Sequence, residues 1–168
     1  MISEAVRSVS LEAVPAARKS VIANLIQLYK YDFSEFAKVG SRYGEVSADG
    51  LFAYEGLDSY WQEDGRFAFT IHADSRLAGF ALVNRWSALD RPLDHAVGEF
   101  FVLRKYRRHR VGWRAQDCCS RVWPAGGKWG WLGTIRRRWP SGARLSDWQR
   151  MARWRSGPVT ARDGPAQC

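Results

Sequence analysis

The chain has 168 residues, enough for one domain or for one domain and a tail, which excludes a large multidomain machine. Its formal net charge of +9 suggests a polyanion partner only until the charge is located. Residues 1–112 hold 15 Lys and Arg against 14 Asp and Glu, whereas residues 113–168 hold 11 against 3.

The second segment also carries seven of the nine Trp and all three Cys, but only six residues from Leu, Ile, Val, Met and Phe, where residues 1–112 carry 33. Aliphatic side chains fill cores because they pack without polar atoms to satisfy. Residues 1–112 therefore read as a core-forming unit, and 113–168 as an Arg/Trp/Gly-rich tail. Glu4, Arg7 and Glu12 interrupt the N-terminus, which leaves no apolar run for a signal peptide or a membrane span and implies a cytoplasmic protein. Cys118, Cys119 and Cys168 stand at no disulfide-framework or metal-ligand spacing, and His72, His95 and His109 are scattered, so no metal site is expected.

In chain order, Val21, Ile22, Leu25, Ile26, Leu28, Tyr29, Phe33 and Phe36 recur at three- and four-residue steps, which predicts an amphipathic helix over 15–36 with Pro15 in its first turn. Residues 40–56 are rich in Gly and acid and read as a loop with a short strand at most; 57–63 read as a further helical turn. Residues 66–72 and 77–83 alternate in apolar character around Ala73-Asp-Ser75, the pattern of an antiparallel hairpin. Residues 86–94 are a linker, and 96–103 are apolar enough for a buried strand.

Then the text changes to Arg104-Lys-Tyr-Arg-Arg-His-Arg-Val-Gly112, a basic run ending where a new helix can start. Backbone N–H groups at a helix N-terminus, with guanidinium groups beside them, suit a polyanion such as a pyrophosphate. The alternative is a solvated basic loop between a strand and a helix.

Here the sequence resembles the GNAT superfamily of acetyl-CoA-dependent N-acetyltransferases. The family's acetyl-CoA motif is a strand, then Gln/Arg-x-x-Gly-x-Gly/Ala, then a helix; Glu99-Phe-Phe-Val-Leu103 stands for the strand and Arg107-Arg-His-Arg-Val-Gly112 for the loop. The preceding order of helix, hairpin and strand is also the family's. Arg110 stands where the motif has its first Gly.

The resemblance implies an α/β fold, an α+β mixed sheet of the GNAT acyl-CoA N-acyltransferase type, completed after Gly112 by further helices and strands. It implies acetyl-CoA as cosubstrate and a small-molecule or peptide amine as acceptor. A bulge would splay the central strand and free backbone groups of Phe101, Val102 and Leu103 for the pantetheine arm. Arg107, Arg108, Arg110, Val111 and Gly112 would hold the pyrophosphate, and Glu99 would be the base, unless it is an ordinary strand carboxylate with a structural partner. The acceptor would be met by residues 40–61 and 85–94. A homodimer is compatible with all of this.

The tail lacks the helix and strand that the family places next, and its Trp residues follow neither helical nor strand spacing. One reading makes it a nucleic-acid-binding tail, with rings to stack on bases and guanidinium groups to pair with phosphates; another makes the chain a noncatalytic acyl-CoA-binding module. A third reading is a shifted frame. If translation starts on the last base of each codon, every Trp or Cys codon supplies the T-G that ends a codon for Leu, Val or Met, and Cys118-Cys119 becomes Leu-Leu. Residues 133–142 then permit D-N-P-A-A-L-A-F-W, which matches the family's Asn-Pro-x-Ala-x-x-Phe-Trp/Tyr motif. On this reading 113–168 are out of frame and fold poorly, so binding of acetyl-CoA and activity are impaired.

Overall fold

The computed structural model describes residues 5–41, 44–86, 94–122 and 129–131. A five-stranded sheet in the order β1-β2-β3-β4-β5 carries helices on both faces. Its strands are β1 (Val9–Ala13), β2 (Phe67–Ala73), β3 (Arg76–Asn84), β4 (His95–Val102) and β5 (Trp129–Trp131). All neighbours run antiparallel except β4 and β5, which are parallel. This is the mixed α/β sheet that the sequence predicts.

Helix α1 (Lys19–Ser34) follows a single 3-10 turn at Ala16–Arg18. It buries Ile22, Leu25, Ile26 and Tyr29, a stripe at steps of three, one and three, against Phe80, Leu82 and Phe101 of the sheet. The helical turn predicted over 57–63 is the short helix α2 (Ser59–Gln62), whose Tyr60 enters the same core. The loop predicted over 40–56 carries no strand among its described residues.

The hairpin turns on Asp74 and Ser75, both at positive φ (48° and 63°), the conformation that matches the right-handed twist of paired strands. Asp74 also ties down the N-terminus: its carboxylate accepts hydrogen bonds from the Arg7 and Ser8 amides and the Ser8 hydroxyl. Those bonds hold its pKa below the usual carboxylate range, with the Ser8 amide contributing most.

Strand β1 is absent from the sequence reading. It is five residues long, and only its pairing with β2 and the burial of Val9 define it. The expectation that neither helix nor strand follows Gly112 is corrected as well. Helix α3 (Val111–Arg121) lies on the face opposite α1, burying Val111, Ala115, Cys118 and Cys119 against β1, β2 and β4, and β5 follows it. The spacing of these four residues is a helical stripe in which small and sulfur-bearing side chains stand in for aliphatic ones. Burial pushes the Cys119 thiol up to about 12. Residues 87–93 of the 86–94 linker and the string from 133 to 142 lie outside the described residues.

Candidate cofactor cleft and carboxylate

Strand β4 is irregular at one residue. Leu82 pairs with Glu99 and Val83 with Val97, so Gly98 is the extra residue of a bulge. Glycine suits the position: a Cβ there would stand 2.7 Å from the Asn84 Nδ2. The bulge resets the alternation of faces. Val97 and Phe100 both pack on the Cys119 side, while Glu99 and Phe101 point to α1.

Among the described residues, β5 pairs with His95, Ala96 and Val97, and 99–102 pair with β3. The Leu103 amide donates to the Ala78 carbonyl at 2.8 Å, which sets the phase of the ladder. It turns the backbone of Phe101 toward β3 and that of Phe100 and Val102 toward the opposite flank.

Of Phe101, Val102 and Leu103, Val102 turns its backbone away from β3. Phe101 is turned the other way by the alternation. Leu103 spends its N–H on Ala78 and its C=O on the Tyr106 amide (2.9 Å). The Val102 carbonyl accepts from Arg107 Nε at 2.7 Å, and its N–H faces the same flank.

The basic run forms a 3-10 turn at Arg104–Tyr106 and then a loop entering α3. Arg108 and Arg110 both adopt left-handed backbone, at φ 68° and 60°. Arg110 thus takes, without being glycine, the conformation for which a glycine is favoured at this point of the motif. It is the N-cap of α3, and no side chain caps the helix. The first helical amide with an internal acceptor is that of Arg114, bonded to the Arg110 carbonyl at 3.0 Å, so the amides of Val111, Gly112 and Trp113 head the helix without one. No acidic residue lies in the first turn, and Arg108 and Arg110 are exposed beside it. Such an end attracts anions.

Arg107 is committed elsewhere. Besides Val102, its guanidinium pairs with Asp32 of α1 and stands 5.5 Å over the Phe101 ring. Arg104 pairs with the same carboxylate at 2.8 Å.

Glu99 lies on the α1 face of β4, largely buried, with its Oε2 accepting a hydrogen bond from the Tyr29 hydroxyl. Burial raises its pKa above the ordinary glutamate value, while the Tyr29 hydrogen bond and the charge of Lys30 pull it back. Tyr29 is pushed well up by its own burial and then by Glu99; Tyr54 and Tyr60 are raised by burial, with Glu99 adding to both. The Tyr60 oxygen accepts from Asn84 Nδ2 at 3.3 Å, which links this cluster to the bulge. Tyr29, Tyr54, Tyr60 and Asn84 were not singled out from the sequence as site residues. A tyrosine on the apolar stripe of a helix signals core packing, and nothing local shows that its hydroxyl meets a carboxylate 70 residues away.

No family model matches the chain, and no curated relative does. Solved structures similar to it include an integron cassette protein from the mobile metagenome of V. cholerae (TM-score 0.46, 11% identity, covering 77% of each chain). A GNAT-family acetyltransferase from Staphylococcus aureus Mu50 gives a TM-score of 0.43 at 16% identity, over 76% of this chain and 74% of that one. A ribosomal-protein-alanine N-acetyltransferase from Brucella melitensis biovar Abortus 2308 gives 0.42 at 16% identity, over 94% and 99%. Among the described residues, no helix is long and apolar enough to cross a membrane, and no group of three His, Cys, Asp or Glu could hold a metal ion.

Proposed function

We propose that the chain is an N-acetyltransferase of the GNAT type, moving acetyl from acetyl-CoA to a primary amine by direct attack. The observation that carries this reading is the Gly98 bulge of β4, one residue before Glu99, beyond which the Val102 backbone turns away from β3. An extended acyl-pantetheine arm suits the flank of β4 away from β3, because the outward Val102 N–H can pair with it as a neighbouring strand would. The pyrophosphate suits the uncapped, acid-free start of α3 beside Arg108 and Arg110.

Acetyl-CoA, when bound, supplies an acyl group activated as a thioester. The chain's part is to hold and deprotonate the acceptor. Glu99 takes a proton from the amine, whose lone pair then forms the C–N bond as the C–S bond breaks; the proton ends on the departing thiolate. A buried carboxyl suits this role, since raised basicity makes it a better proton acceptor. Tyr54 and Tyr60 come from the 40–61 segment assigned to acceptor contact, and both lie close enough to Glu99 to sense its charge.

Thermal-shift titration of the full chain with acetyl-CoA, CoA and ATP tests the reading. Saturable stabilisation by acetyl-CoA and CoA that exceeds the ATP response is expected, followed by thiol release with a panel of primary amines. No stabilisation, or a response equal to that of ATP, overturns it.

A further inference from the structure

Glu99 is a carboxylate set among phenols. The Tyr29 hydroxyl of α1 donates to it, and the rings of Tyr54 and of Tyr60 on α2 neighbour it. The other groups that face this cluster are Lys30 on α1; Arg66, whose guanidinium stands 5.6 Å over the Tyr60 ring; and Asn84 of β3, bonded to the Tyr60 oxygen. Asp32, also on α1, is engaged by Arg104 and Arg107. Tyr29 is itself held on three sides, with ring centroids 4.7 Å from Phe33, 5.7 Å from Phe80 and 6.0 Å from Phe101. Its hydroxyl reaches Glu99 on a stem with little freedom to turn away.

We propose that Tyr29 is a positioning residue: its hydroxyl, aimed by the packing of Phe33, Phe80 and Phe101, orients the Glu99 carboxylate and keeps it available as a proton acceptor. The inference rests on the reading of Glu99 as the base. Two effects compete at the carboxyl. Burial favours its neutral form, whereas a hydrogen bond donated to the charged form favours that one. A phenylalanine at 29 keeps the packing and removes the opposing effect. Glu99 then holds its proton to higher pH, and a base that is still protonated cannot take one from the amine.

The test is Tyr29→Phe in the full chain with two readouts. The first is the Glu99 carboxyl 13C titration, assigned with Glu99→Gln; the second is the pH profile of kcat/KM with acetyl-CoA and the best amine of the panel. The titration midpoint is expected to rise, and the acid limb of kcat/KM to move up by the same amount. A uniform fall in rate with no movement of the limb, or an unmoved midpoint, overturns the inference. If the chain transfers no acetyl group, the proposed function fails, while the midpoint still decides whether Tyr29 governs Glu99. Should Tyr29→Phe not fold, 3-fluorotyrosine at position 29, a stronger donor, is expected to lower the midpoint; an unmoved one overturns the inference.

Discussion

Asp32, in the last turn of α1, holds Arg107 at the head of the loop that leads into α3. The side chain of Asp32 is only 14% exposed, and it also takes Arg104 at 2.8 Å, so one carboxylate joins α1 to the basic loop. Asp32→Ala leaves two guanidinium groups without their partner. A loss of about 1–2 kcal/mol is expected, between the values for exposed and buried ion pairs. Urea denaturation measures it, and acetyl-CoA affinity should fall with it, because Arg107 also braces the Val102 carbonyl.

Arg110 sits at φ 60°, where a β-carbon crowds the backbone. An L-residue in this conformation costs roughly 1–2 kcal/mol. Glycine escapes that cost but loses about 0.5–1 kcal/mol more chain entropy on folding. The balance favours Arg110→Gly by about 0.5–1 kcal/mol, whereas Arg110→Ala should gain nothing. Paired denaturation curves of the two variants distinguish conformational relief from the mere loss of a charge.

Gly79 leaves no room for a side chain: a Cβ there would stand 1.9 Å from the Phe101 carbonyl oxygen. The obstacle is backbone, so relief requires β3 and β4 to move apart. Gly79→Ala is expected to destabilise by about 3 kcal/mol, read from the urea midpoint, as an overpacked core position does.

Glu99→Gln separates stability from activity. The folded-state pKa of Glu99 is raised above its unfolded value, so the folded chain binds the proton more tightly, and stability declines as pH climbs from the ordinary glutamate range through the folded value. Glutamine has no charge to bury. The variant should therefore melt higher than the parent at pH 7 and show no such advantage at pH 4. Its kcat/KM should fall by about 10²- to 10³-fold, the usual contribution of a general base. A variant no more stable at pH 7 than at pH 4, relative to the parent, would contradict the placement of the charge.

Cys118 and Cys119 occupy fully buried positions of α3, where Leu-Leu, the pair required by the alternative reading frame, would also be apolar. Sequencing the coding DNA around the Gly112 codon is expected to reveal one base lost or gained. The restored chain should bind acetyl-CoA more tightly than this one in parallel titrations; an intact frame with equal binding contradicts the shift.

The local elements were legible because their signals are local. The α1 stripe from Ile22 to Tyr29 repeats with the helical period, the Asp74-Ser75 turn lies between two alternating runs, and the basic run stops at Val111, the first residue of α3. The order of these elements pointed to the fold class. What tertiary structure decided are relations between residues far apart in the chain. β1 has too few residues to announce itself, and only the edge of β2 makes it a strand. The Gly98 bulge depends on the register against β3, which determines whether Val102 or Leu103 turns its backbone away from β3. Glu99 becomes more than a strand carboxylate only when packing brings α1 across the sheet and places the Tyr29 hydroxyl upon it. Periodicity encodes which face of an element is apolar; which polar atom that face will meet is settled by how the elements pack.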